Sequence, residues 1–135
     1  MKVYLIVSIL SLSIFNAALS QHTHPCQNFT YETAFQLFKT DKQDFEKMEE
    51  REKNSSQTFA MLEALRKTAN VRSVNDIDLE NLKQNERTLE VLMAIECMFA
   101  LQNARNDNAF DSIEKQHFEQ EIDQIKQAFK EVAQE

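Results

Sequence analysis

The chain has 135 residues, of which 15 are basic and 22 are acidic, and it contains no glycine. The net charge of −7 disfavours nucleic acid and anionic membranes as partners, because phosphate groups repel an acidic protein. The absence of glycine excludes phosphate-binding loops, dinucleotide fingerprints, standard calcium loops and glycine-flanked nucleophile elbows, which need a residue without a Cβ. Basic protein surfaces and small cations are the partner classes that remain.

The first 20 residues have the pattern of a secretory signal peptide. Lys2 precedes a mostly apolar run, and Ala18 and Ser20 place small side chains at positions −3 and −1 of a cut before Gln21. A membrane anchor is the alternative, but the run is shorter than the ~20 residues that span a bilayer. We expect a secreted, extracellular protein. Removing residues 1–20, with one basic and no acidic residue, leaves 115 residues with net charge −8.

The mature chain has helical spacing throughout. Apolar residues recur at every third or fourth position, and no stretch alternates as a strand would. Pro25 is the only proline. We predict an all-α fold, a small bundle of four to five helices with one disulfide. Residues 30–135 form its single domain, and residues 21–29 form a flexible N-terminal arm.

The first helical region is predicted at residues 30–53. Thr40 and Gln43 have capping-box spacing, so this region is expected to be two helices that meet near Thr40. The polar stretch 54–56 indicates a loop with a serine cap, and the next helix is predicted at residues 59–69. In the break that follows, an asparagine is suited to the left-handed conformation that glycine usually takes.

The longest helix is predicted at residues 78–103. Its stretch 89–101 is apolar nearly all round, which indicates a position at the centre of the bundle. Asp111 and Glu114 have capping-box spacing and open the final helix. That helix carries a heptad seam, which we interpret as core; a homodimer through residues 118–132 is the alternative. The seam residues are Phe118, Ile122, Ile125, Phe129 and Val132.

Two cysteines in a secreted chain predict one disulfide, between Cys26 and Cys97. In a bundle of four antiparallel helices these residues would lie at opposite ends. A reversal near Thr40 brings them to the same end, so we predict that the chain turns back there.

Neither the histidines nor their neighbours make a convincing reactive site. His22 and His24 precede a cysteine, and all three are metal-ligand types, but no second ligand cluster accompanies them. We expect these histidines on a loose terminus. His117 has Glu114 and Glu121 one turn away, without a nucleophile, which indicates a solvated face. We therefore predict no catalytic residues, no metal ligands and no cofactor.

Nine of the ten phenylalanines lie in the mature chain, which has no tryptophan. We interpret the aromatic residues as core. The alternative is a pocket for a small hydrophobic or amine ligand, in which Glu90 or Glu96 would pair with the amine. The residues in question are Phe35, Phe38, Phe45, Phe59, Phe99, Phe110, Phe118 and Phe129, with Met93 and Met98.

Surface features complete the prediction. Asn28 and Asn54 begin N-glycosylation sequons, and Asn54, in a polar loop, is the better candidate. Two acidic clusters are candidate binding patches for a basic partner, with solubility as their alternative role. The first is Asp44, Glu46, Glu49, Glu50 and Glu52, and the second is Glu114, Glu119, Glu121 and Asp123.

The expected function follows mainly from these exclusions. We expect a non-enzymatic protein that binds an extracellular protein as an inhibitor or modulator, for example of a host protease or a complement cascade. An extracellular carrier of a small hydrophobic or amine ligand is the alternative.

Overall fold

A computed structural model describes residues 24–52 and 58–135, which form a helical bundle with no strand among them. The helices are α1 (Tyr31–Glu52), α2 (Phe59–Ala69), α3 (Leu79–Leu82), α4 (Glu86–Arg105) and α5 (Ser112–Ala133), with a 3-10 turn at Val74–Asp76. The predicted all-α bundle with one disulfide is confirmed. The signal segment, His22, Asn54 and the serine cap of the 54–56 loop lie outside the described residues. Within the described ranges, no helix is long and apolar enough to cross a bilayer.

Side chains shape the helix ends in this glycine-free chain. The predicted capping box opens α5: Asp111 Oδ1 accepts from Glu114 N at 2.8 Å, and Asp111 N donates to Glu114 Oε1 at 3.1 Å. Asn70 ends α2 with φ of 57° and ψ of 47°. Its amide donates to the Lys67 carbonyl at 3.3 Å. Asn70 thus takes the predicted left-handed position.

Helix α1 is kinked one residue beyond the predicted break. Asp41 has non-helical dihedral angles, φ −105° and ψ 17°, inside an otherwise continuous helix. Before the kink, Tyr31 bonds to Glu90 of α4, while the preceding Cys26 bonds to Cys97. This first segment therefore runs antiparallel to α4. After the kink, α1 lies against the 73–77 region, where Lys42 Nζ donates to the Ile77 carbonyl at 3.3 Å. The predicted meeting of two helices near Thr40 is confirmed: two helical segments join at the Asp41 kink within Tyr31–Glu52.

The prediction of one helix over residues 78–103 is wrong at its start. Asn85 interrupts it because its Oδ1 accepts from Thr88 N at 3.2 Å and its Nδ2 donates to the Thr68 carbonyl at 3.1 Å. These bonds fix Asn85 as the N-cap of α4 and attach it to the end of α2. The preceding residues form the short helix α3, whose cap Asp78 accepts from Glu80 N at 3.1 Å.

Helix α4 lies at the centre and packs against α1, α2 and α5. The heptad seam of α5 faces this core, and its members are at most 5% exposed. These side chains are buried within the chain, which supports the interpretation of the seam as core; a homodimer through residues 118–132 stays a prediction. Most of the aromatic set is buried or partly buried, as predicted, but Phe59 is 48% exposed.

Candidate functional site

The N-terminal arm is tied to two helices. The predicted disulfide joins Cys26 to Cys97 of α4. His24 was expected on a loose end, but it is buried, and its Nε2 lies 2.7 Å from Glu121 Oε2 of α5. Because His24 Nδ1 accepts from Cys26 N at 3.0 Å, the neutral ring carries its proton on Nε2 and donates it to Glu121. This histidine packs edge-on against Phe118 and fixes the arm.

Arg66 organises much of the first acidic cluster. Its guanidinium donates to Glu49 and Glu52 at 2.8 Å and to Glu63 at 3.0 Å, and the side chain is only 9% exposed. Burial acts to lower the pKa of Arg66, but the hydrogen bonds that the guanidinium donates to these carboxylates outweigh burial and raise the pKa. The cluster thus joins α1 to α2 by charge-assisted bonds.

Glu49 also holds the chain beyond α2. Its carboxylate accepts from Ser73 Oγ at 2.6 Å and from Val74 N at 3.0 Å. Burial acts to raise its pKa, but the bonds from Ser73, Val74 and Arg66 outweigh burial and lower it. Glu49 therefore has a structural role rather than a place on a free binding surface.

The two predicted acidic patches do not form continuous exposed faces. In the first, Glu49 and Glu52 are committed to Arg66, Glu46 is half-buried, and Asp44 and Glu50 are exposed. In the second, Glu121 is buried against His24, Glu119 bonds to Arg105 at 2.6 Å, Glu114 completes the capping box, and Asp123 is exposed. Helical spacing identified the acidic residues, but not the basic partners that other helices bring to them.

Two further carboxyl groups lie between α1 and α4. Glu90 is 8% exposed and accepts from the Tyr31 hydroxyl at 2.7 Å. This bond and burial raise the pKa of Tyr31 to about 12. Burial raises the pKa of Glu90 against the opposing effect of the Tyr31 bond, and it raises the pKa of Glu96 against a bond with Thr33. The Oε2 atoms of both glutamates are buried without a hydrogen-bond partner, and burial disfavours the charged form of both groups.

A small cleft lies at the start of α4, and we call it the α3 cleft. Its volume is about 80 Å³. It is lined by Ala69, Val71, Asp76, Ile77, Asp78, Asn81, Leu82, Asn85 and Thr88. We define the α3 surface as the four exposed acidic residues of this stretch, of which the first two line the cleft: Asp76, Asp78, Glu80 and Glu86.

The α3 surface was not predicted from the sequence. Asp78 was predicted at the start of the helix over residues 78–103, and it does cap α3. The available signal was the density of charge: residues 76–86 contain four acidic residues and a single lysine.

Two other residues singled out in the sequence are exposed. Asn28, which begins a glycosylation sequon, is exposed in the turn before α1. His117 is exposed on α5, as a solvated face predicts.

Comparison with known proteins identifies no relative. No protein-family model matches the sequence, and neither curated proteins nor solved structures give a match. Among the described residues, no group of three or more histidine, cysteine, aspartate or glutamate side chains is arranged to hold a metal ion.

Proposed function

We propose that the chain is a secreted, non-catalytic helical protein that binds an extracellular protein with a basic contact surface and thereby inhibits or modulates it. One observation carries the proposal: the exposed carboxylates of Asp76 and Asp78 line the α3 cleft, at the end of the bundle where α4 begins, and Glu80 and Glu86 are exposed within the same stretch of chain. Opposite charge accelerates association and disfavours wrong partners. A concave feature beside such a surface gives a partner side chain a place to anchor.

Secretion is part of this proposal. It is supported by the signal-like first 20 residues and by the disulfide, since disulfides persist in oxidising compartments. Intact-mass analysis of protein released by a eukaryotic host should give a chain that begins at Gln21. A released protein that retains residues 1–20 would contradict the proposed processing.

Binding is tested by capturing a partner from extracellular fluid with the mature protein and then measuring association with the purified partner. Neutralising the α3 surface by Asp76→Asn, Asp78→Asn, Glu80→Gln and Glu86→Gln should slow association by about tenfold at low salt, because steering is lost. At high salt the difference from wild type should shrink.

A control with two neutralised carboxylates changes Asp44 and Asp123, which are exposed elsewhere on the molecule. This control should retain most of the association rate. Equal slowing by both sets of changes would remove the α3 surface from the proposal. Failure to capture any specific partner, or turnover of a substrate by the purified protein, would contradict the proposed function as a whole.

A further inference from the structure

We propose that the α3 cleft receives one basic side chain, lysine or arginine, from the partner protein. This inference rests on the proposed function and specifies the chemistry at the same surface. It follows from three properties of the cleft: its size, its apolar wall and the groups at its rim.

The size of the cleft suits one side chain rather than a whole small molecule. Its volume is about 80 Å³, whereas sites for drug-sized ligands usually enclose roughly 300–1,000 Å³. Val71, Ile77 and Leu82 form the apolar part of the cleft wall. Such a wall matches the alkyl stem of a lysine or arginine, which packs on apolar surface while its charged head stays near water.

The inner polar groups of the cleft are already bonded to the protein. Asn85 uses its oxygen for Thr88 N and its amide for the Thr68 carbonyl. The Thr88 hydroxyl donates to Thr68 Oγ1 at 3.2 Å. A ligand therefore meets few unpaired neutral groups inside, and its charged head is selected at the rim.

The rim carries the negative charge. Asp76 and Asp78 line the cleft and are both exposed. Asp78 needs only Oδ1 to cap α3, so its carboxylate can also accept from a ligand. Lys42 approaches the neighbouring Ile77 carbonyl from α1, but it does not line the cleft. The rim thus favours a cationic head over a neutral one.

The test is a titration of the mature protein with N-acetyl-lysine methylamide, N-acetyl-arginine methylamide and the uncharged N-acetyl-norleucine methylamide. Methyl NMR signals of Val71, Ile77 and Leu82 report occupancy. We expect saturable shifts with at least one cationic probe and affinity about tenfold weaker for norleucine. The stronger cationic probe identifies whether lysine or arginine is preferred.

The variant Asp76→Asn/Asp78→Asn should weaken binding of the cationic probe by about tenfold while the fold is kept, because asparagine is also a good N-cap. The control Glu80→Gln should bind the probe as wild type does, since Glu80 does not line the cleft. Cleft-methyl shifts that are absent for both cations, equal for norleucine, or unchanged in the double variant would each overturn the inference.

The two proposals fail separately. If the purified partner binds through the α3 surface but neither cationic probe shifts the cleft methyl groups, the cleft assignment is wrong and the proposed function stands. If a cationic probe binds in the cleft but no extracellular partner is found, the proposed function is wrong and the assignment of the cleft to a basic side chain stands.

Discussion

Replacing Arg66 by methionine should destabilise the protein by about 3 kcal/mol. Breaking a buried ion pair by removing one partner costs roughly 3–5 kcal/mol, because the other charge stays buried. Arg66 is 9% exposed, but the carboxylates of Glu49, Glu52 and Glu63 are 13–28% exposed, so water partly rehydrates them and the lower end of that range applies. Methionine retains much of the apolar stem of the arginine, so the loss reports mainly on charge and hydrogen bonding.

Urea denaturation followed by far-UV circular dichroism measures this change. Arg66→Lys is the matched control, because it keeps the charge but loses the planar fork that serves three carboxylates. It should cost about 1 kcal/mol, the typical net value of a hydrogen bond. Combining Arg66→Met with Glu52→Gln should recover part of the loss, because one uncompensated carboxylate is removed.

The reasoning is refuted if Arg66→Met lowers the unfolding free energy by less than about 0.5 kcal/mol. The cluster would then contribute no more than an exposed ion pair. It would also be refuted if Arg66→Lys and Arg66→Met were equally destabilising, since the loss would then not come from the charge.

Three other predictions concern stability. Replacing Cys26 and Cys97 by serine should lower the free energy of unfolding in urea by roughly 4 kcal/mol, because the disulfide closes a loop with a sequence separation of 71. A double variant as stable as the wild-type protein under non-reducing conditions would contradict this. Burial raises the folded-state pKa of Glu90. The stability that protonated Glu90 gives to the folded state is therefore present at low pH and is lost as pH rises through that pKa. Glu90→Gln should therefore gain stability relative to wild type between pH 4 and pH 8, and a difference independent of pH would show that the group does not titrate on unfolding. Asn70→Ala should lower the thermal midpoint by the equivalent of about 1 kcal/mol, because alanine disfavours positive φ, while Asn70→Gly should be near neutral; equal effects of the two changes would show that conformation at this position is not the cause.

Much of the fold could be predicted because its signals are local. Capping residues such as Asp111 act within one turn of their own helix, and Asn70 has few competitors for a left-handed position in a chain without glycine. The disulfide followed from the number of cysteines. The missed cap at Asn85 shows where local signals fail. Asn85 is fixed partly by the Thr68 carbonyl, which lies 17 positions earlier in the chain.

The candidate site was harder to predict because exposure depends on distant partners. Nothing in the spacing of Glu49 or Glu121 distinguishes them from solvated acidic residues. Arg66 and His24 bury them through contacts that span 17 and 97 positions. The α3 cleft combines residues from the end of α2, the 3-10 turn, α3 and the start of α4. Its existence therefore depends on the tertiary fold rather than on a motif.

The position of the disulfide divides the molecule in its response to proteases. The covalent ring runs from Cys26 to Cys97 and encloses α1, α2 and α3, whereas α5 lies wholly outside it. A single cut anywhere inside the ring leaves both fragments covalently joined. A single cut at residues 106–111 leaves α5 without a covalent link to the rest, held by its packing, by His24–Glu121 and by the ion pairs Arg87–Glu135 and Arg105–Glu119. The same number of broken peptide bonds would thus yield a nicked but joined protein in one case and a separable C-terminal helix in the other.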